Sequence, residues 1–221
     1  MPESAPTPPT RAEKRQQTVR DLVAAAEREI LAVGIERASI RGICRAAGYT
    51  LGAYYSNFTS KDDLVMAVAG AFVDRLHASL ADILDAAGSR PSEETDRAVR
   101  DWLAGLERNT PLSDFALECA LYSRHNTAFC QRFFEHRKRI HRIFVDALKV
   151  LLEVQGRRTR IPEDSLVAGC MALWQGQALG RWIVPSAGTD ASSGLLGDNP
   201  VSLMPLFMEA MFERALPGEE K

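Results

Sequence analysis

The side chains that could do covalent or metal chemistry are few and poorly spaced for it. Cys44, Cys119, Cys130 and Cys170 form no C-x-x-C pair, and His125, His136 and His141 fall at no H-x-x-x-H spacing. No G-x-S-x-G elbow and no phosphate-binding glycine loop occurs. Catalysis, a metal and a cofactor are therefore not expected, and the cysteines are expected to be reduced and mostly buried. A different chemistry is concentrated in one short stretch. Ser39, Arg41, Thr50, Tyr55, Asn57 and Lys61 are donors set among the apolar or small Leu51, Gly52 and Ala53. Such a set suits binding through many weak polar contacts.

These residues need helices to hold them. Leu22, Val23, Ala26 and Ile30 fall at three- and four-residue steps, the mark of one buried helix face. Gly34 should stop that helix. Ser39 offers an N-cap for a second helix with Ile40, Ile43, Cys44 and Ala47 inward. Gly48 follows at once, then Thr50 caps a short third helix to about Phe58, and Ser60 caps a fourth carrying Leu64, Val65 and Val68. Helix, tight glycine turn and short helix make a helix-turn-helix. Ala47 and Gly48 are small because the two helices approach there and glycine takes a positive φ. Tyr54 and Phe58, four apart, should bury together. Leu51, Gly52, Ala53, Tyr55, Ser56 and Asn57 are left outward.

The stretch SIRGICRAAGYTLGAYYSNFTSKDDL, residues 39–64, resembles the N-terminal signature of the TetR family of transcriptional regulators. It has the Ser/Thr cap, the apolar–Arg–x–Ile helix, Ala-Gly at the turn, the capped short helix, Tyr-x-x-Phe and Ser-Lys. It departs at Ser56, where the family often has an aromatic or His, and at Thr59, where it often has Pro. The resemblance implies a DNA-reading head with Thr50, Tyr55, Lys61 and Ser39 on phosphates. Lys61 also lies near a helix N-terminus, whose free amides favour anions. Residues 49–58 contain no Arg or Lys, so the usual bidentate reading of guanine cannot come from the third helix. Leu51 and Ala53 are expected on thymine methyls, with Asn57 hydrogen-bonding nearby. Arg41 and a flexible arm bearing Arg11, Lys14 and Arg15 would supply guanine or minor-groove contacts.

Beyond residue 60 every periodic segment reads as helix, with spans of about 60–87, 93–108, 112–123, 126–155, 163–183 and 201–215, and no sheet is expected. The expected fold is all-α with about nine helices. Its parts are a mobile arm over 1–13, a helix-turn-helix domain over 14–60 and a helical domain over 61–221. By resemblance, the last part encloses a cavity for a small effector and pairs with a second copy. The cavity lining would draw on Trp102, Phe115, Phe129, Phe133, Phe144 and Trp174, with Cys119, Tyr122, His136, Gln175 and Gln177 as orienting groups. That composition favours a hydrophobic or aromatic effector. Ala168, Ala172, Gly176 and Gly180, each four after the last, form a ridge that lets another helix come close. With Leu203, Leu206, Phe207, Ala210 and Met211 it would build the homodimer interface, and two heads would reach half-sites one helical turn apart.

Composition fits this picture. The chain has 221 residues, 46% hydrophobic and 25% charged, proportions of a globular protein. Its net charge is −2; the first 61 residues carry nine bases against six acids, leaving −5 for the rest. A mildly basic head on an acidic body suits a protein that meets phosphates with one end. The opening MPESAPTPPT lacks a secretory apolar stretch, and no uninterrupted apolar run approaches the ~20 residues of a membrane span, so a cytoplasmic protein is expected. Two alternatives within DNA-binding regulation stay open: a thiol sensor at Cys119 or Cys130, and an activator in place of a repressor.

Overall fold

The computed structural model describes residues 10–87, 93–183 and 203–214. Among them are nine helices: α1 (Arg11–Arg37), α2 (Ile40–Ala47), α3 (Leu51–Tyr55), α4 (Lys61–Ala87), α5 (Glu93–Arg108), α6 (Thr110–Ser123), α7 (Thr127–Gln155), α8 (Glu163–Ile183) and α9 (Leu203–Met211). The chain divides into two units, Met1–Phe72 and Val73–Lys221. The fold is all-α.

In the first unit Leu22, Ala26, Ile30 and Ile35 of α1 are buried, with Ile43 and Cys44 of α2, Tyr54 of α3 and Leu64, Val65 and Val68 of α4. Gly34 breaks the α1 helix with φ 82, as expected, and a last short turn carries on to Arg37. Helix begins at Arg11, inside the span 1–13 expected to be an arm. Thr10 and Glu13 form a reciprocal capping box, Glu13 N–H to Thr10 Oγ1 at 3.2 Å and Thr10 N–H to Glu13 Oε2 at 2.7 Å. Two orphan amides are thereby satisfied, so Arg11, Lys14 and Arg15 lie on α1 rather than on an arm. The rest of the expected arm, residues 1–9, lies outside the described residues.

In the second unit Leu103, Val145, Leu148, Leu152, Leu166, Val167, Cys170 and Met204 form one buried cluster. Each fully buried Leu or Val there contributes about 1.5–3 kcal/mol. Helix α6 begins at Thr110, before Pro111, because Asn109 caps it by accepting from the Leu112 amide at 3.3 Å. Proline in a first turn forfeits no hydrogen bond. Asn126 caps α7, and Gly156, at φ 59, ends it. The expectation of no sheet fails in one place. β1 (Arg157–Thr159) pairs antiparallel with β2 (Phe212–Arg214), Arg157 opposite Arg214. Three-residue strands show too little alternation to be read from sequence, and this pair ends α9 at Met211.

Lys61–Ala86 of α4 is apolar and long enough to cross a membrane by length and composition. It reaches that length with charges such as Asp74 and Arg75 inside it, and Leu64, Val65, Val68 and Ala69 are buried in the first unit.

Candidate nucleic-acid interface

Three local devices shape the helix-turn-helix. Ser39 Oγ accepts from the Gly42 amide at 3.0 Å and starts α2. Gly48 ends it in the left-handed region at φ 75. A Cβ on Gly48 would meet nothing within 4 Å, so glycine is needed for its backbone angle and not for close helix approach. Thr50 Oγ1 then accepts from the Ala53 amide at 3.2 Å and starts α3.

Helix α3 is anchored by its large residues and shows its light ones. Tyr54 is fully buried, its ring centroid 5.5 Å from that of Phe58, and its hydroxyl donates to the Ser60 carbonyl at 2.7 Å. Burial pushes the Tyr54 phenol up to about 12, with Tyr55 and nearby acids adding to it. Tyr55, by contrast, is 59% exposed. Ser39, Arg41, Thr50 and Gly52 are exposed, and Leu51 and Ala53 half-buried. These residues share α2, α3 and the turn between them.

Two expected contacts change. Asn57 is not a free base reader: its Oδ1 accepts from Arg15 Nε at 3.1 Å and its Nδ2 donates to the Ala53 carbonyl at 2.8 Å. Lys61 Nζ donates to the Glu36 carbonyl at 3.0 Å, and its half-buried ammonium is lowered by desolvation. The free-amide argument for Lys61 also fails. Ser60 and Asp63 cap each other, Asp63 N–H to Ser60 Oγ at 3.1 Å and Ser60 N–H to Asp63 Oδ2 at 3.0 Å. The Asp63 carboxylate, accepting from the Thr59 and Ser60 amides, occupies the end where an anion would sit, and Asp62 adds a second acid to the first turn. The sequence reading missed Tyr49, whose hydroxyl donates to Asp21 Oδ2 at 2.9 Å and ties the turn to α1. No local pattern pairs residues 28 apart, so nothing in the sequence marks that bond.

The expected cavity residues fall into two groups. Tyr122 of α6 meets Phe129 of α7 edge-on, and Phe129, Phe133 and His136 stack in succession along α7, with centroids 4.9, 5.8 and 6.4 Å apart. Phe115, Cys119 and Phe129 are buried to 2% exposure or less, packed as core. Trp102 lies 6.0 Å from Phe144 and donates to Ser79 Oγ at 3.0 Å, while Trp174 donates to the Leu106 carbonyl at 3.1 Å. Gln177 donates to the buried Glu107 at 3.2 Å, and Gln175, with its amide oxygen toward Arg137, accepts from that guanidinium at 2.9 Å. A cleft does open in this unit, but none of these residues lines it. Val99, Leu103, Leu148, Leu151 and Met208 wall it, with Arg100, Gln155 and the Asp96–Arg157 ion pair, 3.3 Å apart, also in its lining. It depends on α5, α7, α9 and the ribbon coming together, which periodicity within one helix does not reveal.

Burial also sorts the cysteines. Cys44, Cys119 and Cys170 are buried and Cys130 is exposed, all four free. Burial pushes the Cys119 thiol well above its ordinary value and Cys170 to about 11. A reactive thiol is exposed and lowered, so Cys119 does not meet the needs of a sensor.

On α8, Ala168, Ala172 and Gly176 are exposed, Gly180 is half-buried and Leu179 is 48% exposed. The ridge is thus not used up within its own chain. The close approach of α8 to α9 is made by Gly169, where a Cβ would stand 3.1 Å from the Phe207 ring. Phe207 and Met211, expected at a dimer interface, are half-buried and pack against the core of their own chain. Ala210 is exposed. The side chains of Leu203 and Leu206 lie outside the described residues.

Comparison with known proteins agrees with this geometry. Residues 22–68 match the model of the bacterial regulatory proteins, tetR family. The chain is 26% identical over 192 residues to the probable HTH-type transcriptional regulator ArpR of Pseudomonas putida, covering 84% of this chain and 88% of that protein. Its fold is similar to that of GusR from Salmonella enterica, with TM-score 0.63 at 14% identity over 88% of this chain and 95% of the other. It is also similar to a TetR transcription regulator from Haloarcula marismortui, with TM-score 0.62 at 17% identity over 90% of this chain and 100% of the other. The matched residues 22–68 take in most of α1, all of α2 and α3, and the start of α4. Residues 22–68 thus match the DNA-reading head of tetR-family regulatory proteins, and the chain as a whole is similar to TetR-family transcriptional regulators in fold.

Proposed function

We propose that this regulator is a cytoplasmic homodimeric repressor that leaves its operator when its second unit binds a hydrophobic or aromatic effector. The observation that carries the DNA contact is the division of labour on α3. Tyr54 is wholly inside while Thr50, Gly52 and Tyr55 are outside. The exposed surface is low enough at Gly52 and Ala53 for the groove floor, with Thr50, Tyr55 and Ser39 on phosphates. Lys61 keeps two ammonium protons beyond its bond to Glu36 and can add a phosphate contact from them. Arg41 is exposed beside this surface.

Repression is the simplest output of such a head, since a dimer on its operator excludes other proteins from it. The apolar walls of the cleft support a hydrophobic effector, and Arg100 and Gln155 offer polar orientation. The exposed Ala168, Ala172, Gly176 and Leu179 support pairing through α8. Retardation of a duplex recovered from a random pool, titrated with a library of apolar and aromatic compounds, tests this reading. At least one compound should release the DNA, and Leu151→Trp, which fills the cleft, should abolish that release without abolishing DNA binding. Release undiminished by the filled cleft would place the effector elsewhere.

A further inference from the structure

We propose that Arg15 grips a backbone phosphate beside the C-terminal end of α3, and that Asn57 is the positioning residue that holds it there. The proposal rests on the DNA-binding reading above. Arg15 is exposed on the second turn of α1, and Asn57 is half-buried just past α3, 42 residues later. The Asn57 amide has one orientation that satisfies both of its ends. Its nitrogen is committed to the Ala53 carbonyl at 2.8 Å, so its oxygen must face Arg15 Nε, 3.1 Å away. Tying Nε fixes the plane of a rigid guanidinium and leaves its two terminal nitrogens as a fork, the geometry that matches a phosphate.

Charge placement points the same way. Residues 49–58 contain no Arg or Lys, so this end of α3 has no cation of its own sequence. Arg11, Lys14 and Arg15 crowd the start of α1, where the helix dipole disfavours positive charge. Arrangement against the dipole is favourable once an anion lies alongside. The first turn of a recognition helix meets base edges, with Thr50 at its cap on one phosphate wall. The end at Asn57 then comes beside the sugar–phosphate backbone as well.

The test uses the full chain, a duplex recovered from a random pool by the wild-type protein, and a scrambled duplex of equal length. Affinities are read by fluorescence anisotropy over a range of salt. Arg15→Ala is expected to weaken both duplexes about tenfold, as loss of a charged hydrogen bond does. The slope of log affinity against log salt should fall by about 0.9, the value for one phosphate. Asn57→Ala should weaken both while leaving most of the slope, because the charge remains but is no longer placed. The double variant should be no weaker than Arg15→Ala alone. Arg15→Lys, which keeps the charge and has no Nε, should behave like Asn57→Ala and covers the case in which the latter unfolds. Unchanged affinity in Arg15→Ala, multiplying single effects, a wild-type Arg15→Lys, or a loss confined to the recovered duplex would each overturn the clip. A wild-type protein that recovers no duplex would overturn the DNA-binding reading itself.

Discussion

The pivot of the reading head is Tyr54, and its replacement has a calculable signature. Tyr54→Phe removes a 2.7 Å bond to the Ser60 carbonyl but leaves that carbonyl its bond from the Leu64 amide at 3.4 Å. No acceptor is orphaned, so the cost at neutral pH is about 1 kcal/mol. Tyr54→Ala also removes a fully buried ring packed on Phe58. That costs about 3–5 kcal/mol, a large part of the ~5–15 kcal/mol that holds a domain folded. The hydroxyl adds a pH dependence. The folded protein holds the phenol neutral to about 12, against an ordinary value of 10.0. Since the folded state binds this proton more tightly, the stabilisation is fully present below pH 10 and is lost as pH rises toward 12. Two units correspond to roughly 2–3 kcal/mol. Urea midpoints followed by circular dichroism from pH 8 to 11.5 check this. Wild type should lose stability above pH 10 faster than Tyr54→Phe. Parallel curves would refute the buried, donating phenol.

Other outcomes follow from single contacts. A bulky thiol reagent should label Cys130 quickly in the native protein and Cys44, Cys119 and Cys170 only on unfolding, because three of the four are buried; peptide mapping reads it. Gly48→Ala meets no steric obstacle yet must adopt φ 75, so the melt should show a loss of about 1–2 kcal/mol, and Gly48→Asn a smaller one. Glu107 accepts from the Met204 amide at 2.6 Å and from Gln177 at 3.2 Å. Glu107→Ala would orphan a buried first-turn amide of α9 at about 1–3 kcal/mol, with faster hydrogen exchange at Met204 as the local readout.

What the sequence discloses is what depends on near neighbours. The caps at Ser39, Thr50 and Ser60, the break at Gly34 and the pairing of Tyr54 with Phe58 are interactions within six residues, and residue type specifies them. The misplacements need partners brought from afar. Asn57 looks outward in the α3 pattern, and only the return of α1 supplies the Arg15 that engages it. Arg11, Lys14 and Arg15 look like a tail until the Thr10–Glu13 box is seen to start α1. Phe207 and Met211 lie on an apolar stripe, but a stripe does not say whether its own core or a second copy covers it. The ribbon and the cleft arise from segments about fifty residues apart, Thr159 with Phe212 and Val99 with Leu148.

Selection of duplexes from a random pool by the full-length protein at low ionic strength tests the central claim most directly. The account predicts enrichment of an inverted repeat whose half-site centres lie one helical turn, or a whole multiple, apart. Substituting uracil for thymine under α3 should weaken binding if, as proposed, Leu51 and Ala53 meet thymine methyls. A protein that retains no duplex, or that enriches sequences without two-fold symmetry, would contradict it.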